Sequence, residues 1–564
     1  MPVEVPGLAI CANKRLQTFK TFTVPYICHR KDRSVMKRTQ TIIVLALGFA
    51  CACDPGTLFS SLSEPNPSSS RVEHGMMVLG RQLDDPYSVS NITKALESLY
   101  PTKAGSVDVS ETNLYVRFLP KDQEQYDYLE SIGVEMLDHP LDYEIVREGD
   151  YYHDPEIPAG DITWQYAVVT PDFTFPPGIK YEVLDHCHIT EHEVFTRSGG
   201  DGIDWDAVER ESFRLTGNAQ MLADAPLSKA GAAKPSGRIT LVDDRRPNVV
   251  EGVKGVRVAC NVFVKIGEAY TDENGYYSIN KSFSSEPRYW LVFKNKKGYG
   301  IGLNLILVGG SSSTMGRQSQ EGYSLEVGAE SDRTLFARCV VNNSVWDFFE
   351  KCKTSAGTIK TPPSNLRLWL FKNLNASSAV MMQHGALVNN SDLVKKYLGD
   401  WAKLLKWFLP DVTIGYDNDD DYASIYSTTV HELAHASHFQ QVDVAWWDKL
   451  TEFIITSYVT SGMMTYGTGG EENSGYCEVA EMWAYYLSSK LYRMRYPGSI
   501  AMFGTSYWFY PQIFSYLDDR GLDFFKIYQS LVPAVTDREK LQEKLLSLYP
   551  DFKTNILVAF NRYL

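Results

Sequence analysis

The string Val430-His431-Glu432-Leu433-Ala434-His435 sets two imidazoles four residues apart, with a carboxylate beside the first. Residues four apart on a helix share a face, so His431 and His435 can converge on one ion. Glu432 projects next to them, where its carboxylate can take a proton from a water held by the metal. Zinc is the expected cofactor, because it lowers the pKa of such a water to about 7 and supplies hydroxide at neutral pH. The expected chemistry is Zn2+-assisted hydrolysis with Glu432 as the catalytic base. A plain amphipathic helix with solvated histidines is the rival reading. Three of the chain's 11 histidines within eight residues, set among Leu433, Ala434, Ala436 and Phe439, argue against it.

A catalytic zinc keeps three protein ligands and one open position. His438 is nearest in sequence, but seven residues from His431 is about 10 Å of helix rise, too far along the axis. His438 is expected either to support a ligand histidine by hydrogen bonding or to face solvent. The Gly and His that would continue the motif in a metzincin are absent from Ala436–Gln441. Downstream, Tyr476–Tyr486 is an apolar helical run with two carboxylates, Glu478 and Glu481, three residues apart. Carboxylates in such surroundings are costly unless paired, hydrogen-bonded or metal-bound, which makes both candidates for the third ligand. Other clusters read more plainly. His186, Cys187, His188 and His192 lack helical chelating spacing and read as surface polar residues. Asp417–Asp421 lacks the glycine and terminal glutamate of an EF-hand loop and reads as a solvated acidic loop. Trp446-Trp447, Trp483 and Ser506–Tyr510 are expected in the core rather than in substrate subsites.

His431 and His435, 45 intervening residues, then Glu481 followed by Met-Trp-Ala, together resemble the gluzincin clan of zinc peptidases, and most of all the anthrax lethal factor-like catalytic domain. The resemblance rests on short motifs and their order in the C-terminal region. It implies that Glu481, on a second helix, is the third ligand, and that Glu478, one turn earlier, orients a ligand histidine. It also implies a tyrosine shortly before the ligand glutamate that stabilises the oxyanion; Tyr466 and Tyr476 both stand as counterparts. The implied activity is hydrolysis of a peptide bond in a protein or peptide substrate. A strand at Val412–Tyr416, just ahead of the zinc helix, can pair with an extended substrate backbone.

These residues need elements to hold them. The apolar pattern around the histidines predicts a helix from about Ser427 to Gln441, preceded by a helix at Asn342–Cys352 and a strand at Leu366–Phe371. Aromatic-rich helices follow, giving a zincin-like catalytic domain over 330–564. Residues 72–230 read as an α+β region. Ser88 caps a helix over Val89–Leu99, Leu114–Leu119 alternates like a strand, Lys121–Ile132 suits a helix, and Val134–Leu137 suits a strand. Between these regions, Gly237-Arg-Ile-Thr-Leu, Gly255-Val-Arg-Val-Ala and Thr271-Asp-Glu-Asn-Gly-Tyr-Tyr resemble the carboxypeptidase regulatory-like β-sandwich, assigned to 235–300. The resemblance implies a seven-stranded spacer or docking module, and Asn274-Gly275 signals a hairpin turn. The expected fold class is multidomain α+β: an N-terminal α+β region, a small β-sandwich and a C-terminal, mainly α catalytic domain.

The chain's 564 residues suit several domains, and its net charge of −14 argues against nucleic acid as a partner. Nine cysteines show no C-x-x-C spacing, so neither a zinc knuckle nor a dense disulfide framework is expected, although Cys339 and Cys352 could pair. Residues 36–53 carry a basic start, a short apolar run and a small-residue exit into cysteine. This resembles a bacterial lipoprotein signal with Cys51 or Cys53 lipidated, followed by a Ser/Pro-rich tether over 54–71; residues 1–35 read as a misassigned upstream extension. The expectation is an extracytoplasmic protein that meets the membrane through a lipid anchor only. The alternative function is a surface binding or adhesion lipoprotein for glycan or protein, with a vestigial metal site.

Overall fold

Chain order in the N-terminal region is β1 (Val78–Gln82), α1 (Val89–Leu99), β2 (Asn113–Leu119), α2 (Gln123–Ser131), β3 (Tyr143–Arg147), β4 (Gln165–Val169), β5 (Lys180–Cys187) and α3 (Trp205–Leu215). The structure is a computed structural model and describes residues 76–158, 161–189, 202–222, 232–302, 312–374, 377–386, 411–460 and 466–563. The signal with Cys51 and Cys53, the tether and His192 lie outside the described residues. β2 is the centre of an antiparallel sheet, β4–β2–β5, while β1 pairs with β3. Ser88 caps α1 as expected, its hydroxyl accepting from the Asn91 amide, and Ile92, Ala95 and Leu96 supply the buried stripe. The strand expected at Val134–Leu137 is absent; Leu137 alone bridges to Tyr166.

The next stretch holds β6 (Ser236–Val242), β7 (Val250–Gly252), β8 (Arg257–Val262), β9 (Lys265–Tyr270), β10 (Tyr276–Ser278), β11 (Arg288–Val292), β12 (Gly300–Ile301), β13 (Ser312–Arg317) and β14 (Leu325–Val327). One sheet joins β6 to β7, β10 and β14; the other runs β13–β11–β8–β9. Ile239, Leu241 and Tyr277 of the first sheet share a buried cluster with Val258, Cys260, Tyr289 and Leu291 of the second. The Asn274-Gly275 turn exists but does not close a hairpin. β9 pairs with β8, and β10 pairs with β6, so the chain crosses between sheets there. Gly275 has φ +84, and a Cβ on it would lie 2.0 Å from the Ile239 carbonyl oxygen, which leaves room for glycine alone.

The C-terminal part contains α4 (Arg333–Cys352), β15 (Arg367–Lys372), β16 (Ser378–Ala379), β17 (Val412–Tyr416), α5 (Tyr422–Gln441), α6 (Val444–Thr460), α7 (Ser474–Arg495) and α8 (Arg538–Leu548). Beyond β17 the described elements are all helical, so the chain is mixed α+β with a helical C-terminal part. A four-stranded sheet runs β12–β15–β17–β16, its first three strands parallel and β16 antiparallel at the edge. α5 starts earlier than its apolar run suggested, because Asp421 caps it by accepting from the Ser424 amide. It is buried on nearly every side rather than along one stripe, which fits a helix running through a core. Cys339 and Cys352 are free and buried, as are Cys187, Cys260 and Cys477. Among the described residues no helix is long and apolar enough to cross a membrane.

Candidate metal centre

α5 presents His431 and His435 from one face, with their Nε2 atoms 3.2 Å apart. α7 brings Glu481 against both: Oε2 lies 3.4 Å from His431 Nε2, and Oε1 lies 3.4 Å from His435 Nε2. Two imidazole lone pairs this close repel unless one nitrogen carries a proton or a cation lies between them. Glu481 Oε2 is buried and makes no hydrogen bond, so the three groups converge with unshared lone pairs, as a ligand triad would. Burial works against the charged form of Glu481, but His435 and His431 outweigh it and hold the carboxyl down to about 2. Glu432 goes the other way. Burial pushes it up to about 8, with His431 pulling it down and Glu481 pushing it further up.

The position of Glu481 depends on α7 docking against α5. Trp483 is fully buried, and its Nε1 donates to the Ala434 carbonyl at 3.1 Å, tying the two helices one residue away from His435. The role expected of Glu478 is corrected. Its carboxylate pairs with Arg538 Nε of α8 at 2.7 Å, and His435 Nδ1 is buried without a hydrogen-bond partner. Three residues before Glu481, Glu478 is rotated away from the histidines and toward α8. His438 does not join the ligands, and it is not at the surface either. It is fully buried, its ring 4.8 Å from Trp446 and 5.9 Å from Trp447, with neither nitrogen hydrogen-bonded. Burial, and next His435, hold its pKa down to about 3.

The ligands open into a narrow cleft of ≈ 50 Å³ that Glu432, Tyr466, Ser378 and Ala379 also line. The strand expected to receive substrate is corrected here. β17 is paired on both sides, with β15 and with β16, and among the described residues β16 is the edge strand, beside His431, His435 and Glu481. Trp447 holds that edge in place, its Nε1 donating to the Ala379 carbonyl at 3.3 Å. Tyr466 is at the cleft, and Trp508 Nε1 fixes its carbonyl at 3.0 Å. Burial, then Glu481 and the hydrogen-bonded Tyr485, push the Tyr466 phenol far up. Tyr476 is half-buried outside the cleft, its ring 5.0 Å from Trp446.

Tyr485 escaped the sequence reading, yet its ring lies 4.3 Å from that of His431. The signal was present: it follows Glu481 by four residues and shares its helix face. Gly504, at φ +70, lets the following loop close on it, since a Cβ there would lie 2.4 Å from the Tyr485 ring. Tyr507 and Phe509 pack on Tyr466 at 5.2 and 5.4 Å, so part of the Ser506–Tyr510 run braces the site. The acidic loop has a structural role, Asp421 capping α5 and pairing with Arg245 at 2.6 Å. His186 is exposed and paired with Glu111. His188 departs from expectation, being buried with Nδ1 2.7 Å from the Ser110 carbonyl and its ring against Trp205. No family model matches the chain, and neither a curated protein nor a solved structure matches it.

Proposed function

We propose that the protein is a zinc-dependent peptidase of gluzincin type, carried outside the cytoplasm as a lipoprotein. The observation that carries this reading is the convergence of His431, His435 and Glu481 within 3.2–3.4 Å of one another, in a cleft shared with Glu432 and Tyr466. Two imidazoles and one carboxylate with a side open to a cleft suit a catalytic zinc. When bound, zinc supplies Lewis acidity to a scissile carbonyl and acidifies water. Glu432 takes the proton of the attacking water and passes it to the leaving amine. Tyr466 donates its O–H to the developing oxyanion. Among the described residues β16 pairs with β17 alone, and on this reading an extended peptide adds to its outer edge. On this reading the two-sheet unit is the carboxypeptidase regulatory-like spacer.

Elemental analysis of the purified full chain and its Glu481→Ala variant tests the metal, and a peptide library with Glu432→Gln as control tests the chemistry. The expected result is zinc that Glu481→Ala loses or binds at least about tenfold more weakly. Cleavage should fall about 10²–10⁴-fold in Glu432→Gln. Equal zinc in both chains, or cleavage that ignores Glu432, would sink the proposal.

A further inference from the structure

A second group of metal-type ligands lies in the N-terminal region. Asp185 and Cys187 are two residues apart on β5, which puts them on one face of the strand. The Asp85–Ser88 segment runs beside them, with the His188 amide donating to the Tyr87 carbonyl at 2.8 Å and Ser88 bridging to Cys187. This brings one carboxylate oxygen each of Asp85 and Asp185, and the Cys187 sulfur, within 4.8 Å of one another. Asp85 is 7 % exposed. Its Oδ1 accepts from the Tyr87 amide at 2.9 Å, but its Oδ2 is buried with no hydrogen-bond partner. A buried carboxylate oxygen left unpaired beside a second carboxylate is costly, and either a proton or a bound cation removes the cost.

The surroundings carry no such cation among the described residues. Asp85 and Asp185 line a cleft of ≈ 740 Å³, where Arg117 is the basic residue, and Arg117 is already engaged by Glu182 at 2.8 Å. The neighbouring acids differ from Asp85 in being hydrogen-bonded. Asp142 accepts from Tyr115 at 3.1 Å and Gln82 at 2.6 Å, and Asp84 accepts from Asn91 at 2.8 Å. They add negative field without competing for the ligand positions.

We propose that Asp85, Asp185 and Cys187 hold a divalent cation of the zinc class at the floor of this cleft, separate from the His431–His435–Glu481 centre. Two carboxylate oxygens alone would suit calcium or magnesium; the sulfur shifts the preference to a borderline ion such as Zn2+. Binding replaces the Cys187 S–H by an S–metal bond and releases that proton to solvent. The open side of the ion faces the cleft, which has the volume of a small-molecule site.

The test uses the full chain in which His431→Ala/His435→Ala has removed the other centre, so failure of one site leaves the other readable. Calorimetric titration with ZnCl2, and with CaCl2 for comparison, should give one zinc per chain in that background. Adding Asp85→Asn or Cys187→Ser should weaken it at least about tenfold. Cobalt loading of the otherwise unaltered chain gives a readout independent of those variants' folding: a thiolate-to-metal charge-transfer band. No zinc in the double-alanine background, calcium bound in preference to zinc, or a cobalt spectrum without a thiolate band would each overturn the proposal.

Discussion

Tyr466 lines the cleft shared with His431, His435 and Glu481, whereas Tyr476 packs on Trp446 away from it. A lost oxyanion donor acts in the transition state and not on ground-state binding. Tyr466→Phe is therefore expected to lower kcat about 10²-fold with KM and zinc content unchanged, and Tyr476→Phe to leave turnover unaltered. Steady-state kinetics on one cleaved peptide decides it; equal losses in both variants would remove the special role of Tyr466. His438 sets a second residue-scale expectation. Its folded pKa is held down to about 3 against an ordinary 6.5, so between those values the unfolded chain binds a proton that the folded chain refuses. Its neutral burial is compatible with full stability above pH 6.5, and stability declines as pH falls from 6.5 toward 3. Between pH 7 and pH 5 this residue should account for about 2 kcal/mol. Urea melts of chelator-treated protein at both pH values should show a shallower acid loss in His438→Phe, which keeps an aromatic ring against Trp446 and Trp447. An identical loss in both proteins would refute the assignment.

At the scale of elements, the centre exists because α7 is locked to α5, and the Trp483–Ala434 bond is the lock nearest the ligands. Trp483→Phe keeps a ring but removes the N–H donor. It should cost about 1 kcal/mol in stability and weaken zinc about tenfold, since the ligand carboxylate two residues earlier loses its register. Thermal melts with and without chelator separate the two effects; zinc affinity unchanged at reduced stability would mean the bond is merely structural. How far these elements could be read from sequence follows from how local their causes are. The α1 boundaries were legible because Ser88 and the Ile92–Leu96 spacing are local signals. The start of α5 had a local signal too, the Asp421 cap, but it stood within an acidic run that read as a solvated loop, and the Tyr422 and Tyr426 it introduces are buried under Arg495, more than 60 residues away. The edge strand Ser378–Ala379 is two residues long and carries no periodicity. Glu478 and Glu481 look alike in sequence; the position of Arg538 separates them. The Asn274-Gly275 turn was visible, but the exchange of sheets around it depends on β6, far away in sequence.

Across the whole molecule, the helices that carry His431, His435 and Glu481 are braced by the two-sheet unit. Arg495, at the end of α7, sits 2.8 Å from Asp243 and 3.0 Å from Glu251, with its guanidinium over the Tyr422 ring that begins α5. Asn342 and Asn343 of α4 donate to the Lys254 and Gly252 carbonyls at 2.9 and 2.8 Å. β12 adds the outer strand of the sheet beneath the site. Arg495→Met leaves the fully buried Asp243 without its guanidinium, while Glu251 keeps Arg246 at 2.6 Å. The expected loss is about 3–5 kcal/mol in the equilibrium melt, because an unpaired buried charge remains. The same contacts bear on where the chain can be cut. A fragment of residues 330–564 retains His431, His435 and Glu481 but lacks β12, Asp243 and Glu251. Arg495 would then keep only Asp347, at 3.4 Å, of its three acids, and β15 would lose its parallel partner β12 and become an open edge. That fragment should melt without a cooperative transition and hold no zinc at its histidines, whereas residues 232–564 should melt cooperatively and bind zinc there. Limited proteolysis and zinc content of the two fragments measure this directly. A cooperative, zinc-binding 330–564 fragment would show that the two-sheet unit is a passenger and that the helices position the ligands unaided.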